Sequence, residues 1–197
     1  MKDFGMLHVY TGTGKGKTSA ALGLAMRAVG HGAKVVMICF MKGDPTYGEA
    51  QAFRFLPGFT ILQMGRDSFV NFRNPDPIDV QMAKEAWEEG KRILSEQKTD
   101  VLILDEINLA MAKQLIDTHE VVAFLHAHRK NTEVVCTGRE APQELIDEAD
   151  LVTDMQEVRH YFTEKNITIG MESTTDIRKI NSNSVLSFPN VISHNIF

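Results

Sequence analysis

Apolar residues recur along the chain in short runs separated by longer amphipathic stretches. Met6-Leu7-His8-Val9-Tyr10 reads as a strand and runs straight into Thr11-Gly12-Thr13-Gly14-Lys15-Gly16-Lys17-Thr18. Ala20, Ala21, Leu22, Leu24, Ala25 and Met26 follow at helical spacing, so strand, glycine-rich turn and helix are predicted in that order, the helix ending near Gly30 and Gly32. Residues 35–40 are apolar at every position, the pattern of a parallel-sheet strand covered on both faces. The alternation continues, with strands expected at 60–62, 101–104, 133–136 and 151–155 and helices at 78–95, 120–128 and 142–148. Strands separated by helices imply an α/β fold with a doubly wound, mostly parallel sheet.

Composition narrows the class. A chain of 197 residues with 43% hydrophobic and 24% charged residues has the make-up of an ordinary globular domain. Against 26 acidic side chains stand 21 Lys and Arg, a net charge of −5, which argues against a broad grip on nucleic acid. Any polyanion must be held locally. No apolar run approaches the ~20 residues that span a bilayer, and no secretory signal is read at the N-terminus, so no membrane association and a cytoplasmic location are expected. Cys39 and Cys136 lie inside apolar strand-like runs without metal-ligand spacing and are expected as buried free thiols. Near residue 173 the chain turns rich in Ser, Asn and Thr, so a domain over 1–172 and a tail over 173–197 are expected.

The chemistry gathers at two strand ends. A glycine-rich turn between a buried strand and a helix exposes backbone N–H groups at the helix's positive end, a cradle for phosphates. Gly12, Thr13, Gly14, Lys15 and Gly16 form that turn, Lys17 adds charge and Thr18 a hydroxyl for a metal ion. The common G-x-x-x-x-G-K-[ST] spacing wants glycine where this chain has Thr11, with Gly12 one place late. A loop of altered shape follows. Val101 to Leu104 leads into Asp105 and Glu106, carboxylates expected beside the phosphate loop at the strand's end. With Thr18 they form a candidate set for Mg2+ or Mn2+. On these residues alone, a P-loop kinase or NTPase and a non-catalytic nucleotide-binding protein both remain open.

The motifs, taken together, resemble those of the P-loop ATP:corrinoid adenosyltransferases. The loop Gly12 to Thr18 is similar to that family's G-x-G-K-G-K-T, altered spacing included. Phe40-Met41-Lys42-Gly43, Gly48-Glu49, the run from Val101 to Asn108, Thr137-Gly138-Arg139 with Ala141-Pro142, Ala149 to Thr153, and Arg159-His160-Tyr161-Phe162 match in order. The resemblance implies a RecA-like P-loop NTPase architecture. It also implies transfer of the 5′-deoxyadenosyl group of ATP to the Co(I) centre of a corrinoid such as cobalamin, with release of triphosphate. Lys17, Asp105 and Glu106 would be the catalytic side chains, and Arg27 and Arg139 would contact the nucleotide. The segment Met64 to Phe72 departs from the family's G-x-G-F-T-W form, which leaves Phe69 and Phe72 as the corrinoid-facing aromatics. A homodimer and a flavoprotein electron donor are family implications. The resemblance also adds a non-catalytic corrinoid-binding protein as a further alternative. Trp87 falls within the expected 78–95 helix and is read as a core residue.

Overall fold

Six strands carry the apolar runs: β1 Leu7–Thr11, β2 Val35–Phe40, β3 Phe59–Met64, β4 Val101–Asp105, β5 Glu133–Thr137 and β6 Leu151–Asp154. Between them lie α1 Lys17–Gly30, α2 Gly48–Phe53, α3 Pro77–Glu96, α4 Ile107–Ala112, α5 Thr118–His128 and α6 Gln143–Glu148. The computed structural model describes residues 5–68 and 70–160, and residues up to Val158 form one compact unit. The domain boundary expected at 172/173, the tail, Tyr161, Phe162 and Phe69 lie outside the described residues.

The strands form one sheet in the order β3-β2-β4-β5-β1-β6. All its pairings are parallel, with Leu7 opposite Val134, His8 opposite Leu151, Val35 opposite Val101, and Leu102 opposite Val134. The α/β doubly wound expectation holds. Because every strand runs the same way, Thr11, Phe40, Asp105 and Thr137 all end at one edge. Placing β5 between β1 and β4 sets Thr137 between the phosphate loop and the acidic pair, the RecA-like arrangement.

Two apolar layers sandwich the sheet. Leu7, Ile38, Phe40, Leu102, Leu104 and Trp87 belong to the larger cluster, and Ala21, Ala25, Met37, Ile103 and Val135 to the smaller. Neighbouring residues of β4 therefore serve opposite layers, which explains a strand apolar at every position. Trp87 is core, as expected, with its indole N–H donating to Glu120 at 3.1 Å. Both cysteines are buried free thiols whose pKa values burial pushes up to about 12.

Helix ends follow local chemistry. Pro77 opens α3 behind Asp76, and Gln97 closes it in the left-handed region at φ 50°. Asp117 caps α5 by accepting from the Glu120 N–H at 2.7 Å. β6 departs from the buried pattern, because all four of its residues are exposed at the sheet edge.

Candidate functional site

The phosphate loop is shaped by what it lies on. Gly12 has φ 99°, and a Cβ there would collide with the Asp154 carboxylate and the Met155 carbonyl. Gly14 donates its N–H to Met155 O at 2.6 Å, which fastens the loop to the residue after β6. No side chain caps α1, whose N-cap is Gly16 at φ 116°. The helix therefore meets the loop without a competing side-chain acceptor, and its positive end is left for an anion. Lys17 folds back into the loop, donating to the carbonyls of Gly12 at 2.9 Å and Gly14 at 2.6 Å. Burial, and then the nearby Arg139 charge, lower the pKa of this ammonium. Lys17 is a desolvated cation within a ring of backbone groups, the form in which a charge acts most strongly on a bound polyanion.

At the end of β4 the Asp105 carboxylate is completely buried. Its Oδ1 accepts from Thr18 Oγ1 at 2.9 Å and Thr137 Oγ1 at 2.6 Å. Its Oδ2 accepts from Lys42 Nζ at 2.6 Å, and the same ammonium stands 3.7 Å from Glu106 Oε1. Glu106 adopts the left-handed region at φ 67° and donates its N–H to Thr137 Oγ1 at 3.1 Å. Burial raises the Glu106 pKa, with the Lys42 charge opposing. Burial would lower the Lys42 pKa, but the Asp105 and Glu106 charges outweigh it and hold it above its ordinary value. Thr18 and Asp105, both named from sequence, are thus in direct contact, and Glu106, also named, is linked to them through Lys42 and Thr137.

The other expected residues are more scattered. Thr13 and Lys15 are exposed on the loop. Arg139 is exposed just beyond β5, and its charge bears on both Lys17 and Glu106. Arg27 is exposed in the last turn of α1, about 15 Å along the helix axis from Lys17 at 1.5 Å per residue. It is not gathered with the loop. Phe72 is half-buried and packs against the larger apolar cluster.

Three residues of the site had no role in the sequence reading: Lys42, Thr137 and Asn108. Lys42 follows β2, and the pairing of Cys39 with Asp105 in β2 and β4 brings it beside the acidic pair. Thr137 is the last residue of β5, between β1 and β4. Their signal was present in the rule that parallel strands end together, once the strand order is known. Asn108 donates to Tyr10 O at 3.2 Å and Gly138 O at 3.1 Å, stitching α4 to the ends of β1 and β5.

The donor set suits a hard divalent cation. A hydroxyl and two carboxylates supply oxygen only, and an ammonium already sits 2.6 Å from Asp105 and 3.7 Å from Glu106. Among the described residues no cluster of three His, Cys, Asp or Glu side chains could hold a metal alone. Such a cation would take its remaining ligands from water and nucleotide. Also among the described residues, no helix is long and apolar enough to cross a membrane.

Comparison with known proteins agrees with this geometry. The profile of the ATP:corrinoid adenosyltransferase family BtuR/CobO/CobP matches residues 3–172. A corrinoid adenosyltransferase of Sinorhizobium sp is 37% identical over 161 residues, covering 80% of this chain and 75% of that protein. The corrinoid adenosyltransferase CobA of Salmonella typhimurium is 34% identical over 158 residues, covering 80% of each. Among solved structures, the flagellar accessory protein FlaH from Methanocaldococcus jannaschii superposes with a TM-score of 0.51 at 12% identity, covering 78% of this chain and 72% of that one, a likeness of fold alone. The loop, the acidic strand end and these relatives agree: the chain belongs to the ATP:corrinoid adenosyltransferase family.

Proposed function

We propose that the site described above moves the 5′-deoxyadenosyl group of ATP onto the Co(I) centre of a reduced corrinoid, with triphosphate as the leaving group. The bond formed is cobalt to C5′ and the bond broken is C5′ to its bridging oxygen. The electron pair of that broken bond leaves with the triphosphate. Because Co(I) is itself the nucleophile, no side chain need remove a proton. The chain's work is to position C5′ and to stabilise charge on the leaving group.

Lys17 and the N–H groups around Gly12 to Thr18 grip the phosphate tail. Lys17 moves from its loop carbonyls to phosphate oxygens, and Arg139 approaches the tail from the β5 side. A bound Mg2+ or Mn2+, held by Thr18, Asp105 and Glu106, would neutralise charge on the phosphates. Arg27, remote along α1, reaches the nucleotide only if the adenosine end extends down that helix. Of the two aromatics named from the resemblance, Phe72 lies after β3 at the rim of the larger apolar cluster and is the one assigned to the corrinoid side, while Phe69 lies outside the described residues. A homodimer, a flavoprotein electron donor and a cytoplasmic location complete the reading and are supported by family likeness.

The observation that carries these roles is the 2.9 Å bond from Thr18 to Asp105, which joins the phosphate loop to the acidic strand end. The test is incubation with ATP, Mg2+ and chemically reduced cobalamin. A light-sensitive cobalt–carbon product with equimolar triphosphate is expected. ADP with orthophosphate would instead indicate phosphoryl transfer.

A further inference from the structure

Asp105 is neutralised entirely from within the chain. Two hydroxyls meet Oδ1, and Lys42 Nζ meets Oδ2 at 2.6 Å while lying 3.7 Å from Glu106. Lys17, the neighbouring ammonium, is engaged elsewhere, on the Gly12 and Gly14 carbonyls. Lys42 therefore stands between the two carboxylates where an oxygen-ligated divalent cation would have to stand.

We propose that Lys42 is a built-in substitute for that cation, displaced from the acidic pair onto the phosphate tail when metal and nucleotide arrive together. The inference rests on the metal assignment made under Proposed function. A buried carboxylate left without a cation is strongly disfavoured, so Lys42 keeps the site folded before substrate arrives. A divalent ion and an ammonium cannot share one carboxylate without strong repulsion. Metal alone must drive the ammonium into water, whereas metal carrying a triphosphate brings a new anion for it. Metal and nucleotide therefore bind with positive coupling.

The backbone around Lys42 suits a side-chain switch. Met41 is held at φ 58°, with its N–H donating to Met64 O at 3.1 Å. A Cβ on Gly43 would collide with the Gly65 carbonyl, and one on Gly65 with Lys42 N. With the main chain clasped so closely, only the flexible four-carbon stem of Lys42 has freedom to swing.

The test uses the full chain with Mn2+ as probe. Free Mn2+ is measured by electron paramagnetic resonance without nucleotide, and ATP affinity by dialysis in EDTA and at saturating Mn2+. In the wild type, Mn2+ alone should bind weakly and should strengthen ATP binding at least tenfold. Lys42→Met should bind Mn2+ alone at least tenfold more tightly and lose most of that coupling, while Lys42→Arg should keep wild-type behaviour. Should Lys42→Met fold poorly in EDTA, its melting temperature should be rescued by Mn2+ far more than that of the wild type. Equal Mn2+ affinity and equal rescue in Lys42→Met and wild type would overturn the substitute role alone. Absence of Mn2+ binding even with saturating ATP would overturn both this inference and the metal assignment, and adenosyl transfer to cobalt would still be read separately from its products.

Discussion

The loops after β1 and β3 leave the same edge of one sheet, yet they are built in opposite ways. The β1 loop is fixed by its main chain: Gly12 fits against Asp154 and Met155, Gly14 bonds to Met155, and Lys17 is wrapped in loop carbonyls. The β3 loop, at the sheet's far edge, begins with Gly65 packed on the main chain of Lys42, and beyond it one side chain ties the loop to the next helix. Arg66 donates from Nε to Asp79 Oδ1 at 2.8 Å and from Nη2 to Asp79 Oδ2 at 2.6 Å, and also reaches Asp76 at 2.7 Å. Asp79 is buried in the first turn of α3, so both ends of the loop are tied to one bidentate pair. A loop made of backbone tolerates little change in sequence. A loop pinned by a side-chain pair can change the residues between the pins.

The largest expected break in that comparison is at the main-chain loop. Lys17→Ala should lower adenosyl transfer about 10²–10³-fold, the usual loss when one charge-stabilising donor is removed. Steady-state kinetics with reduced cobalamin would check it, and a loss under about threefold would remove Lys17 from the catalytic set. Next comes the pinned loop. Arg66→Met leaves the buried Asp79 carboxylate without its partner and should lower the melting temperature of the chain. KM for the corrinoid should rise while ATP affinity is kept, as kinetics and ATP titration would show. Restored stability in the Arg66→Met, Asp79→Leu double variant would assign that cost to the stranded carboxylate.

Two smaller effects calibrate regions outside both loops. With thiol pKa values pushed up to about 12, Cys39 and Cys136 should resist an aromatic disulfide reagent at neutral pH until the chain unfolds, in Arg66→Met as in wild type. Fast labelling of Cys39 in Arg66→Met would mean that loosening the β3 loop opens the sheet beneath it. Smallest is the bond between His119 on α5 and Glu144 on α6, at 2.8 Å, which raises the His119 pKa. Its stabilising effect is full below the unfolded histidine value and fades as pH rises through the folded one. Melting curves of His119→Gln should differ from wild type at acidic pH and merge with it at alkaline pH.

Long elements with a clear period were legible in the sequence. Predicted strand 35–40 matches β2, and predicted helix 78–95 lies within α3. The short helices α2 and α4 were not read, although α6, also six residues long, was: α2 buries none of its residues and α4 buries most of them, so neither sets an apolar stripe against a polar face. Exposure of β6 was also missed, since Leu151 and Val152 look apolar although their strand lies at the sheet edge. Within the site, motif residues such as Lys17, Thr18 and Asp105 could be named because their roles depend on local spacing. Lys42 and Thr137 stood only within matched segments, without a role, because their roles arise only when β2, β4 and β5 are set side by side. The Arg66 pin was invisible for the same reason: its partner lies a whole loop away.

The most direct test of the account is the fate of the oxygen that bridges C5′ and the α-phosphorus of ATP. With that oxygen labelled as ¹⁸O and reduced cobalamin as acceptor, attack at carbon predicts that all the label appears in the released triphosphate. Label retained in a nucleoside product would show that a phosphorus–oxygen bond had broken and would contradict the account.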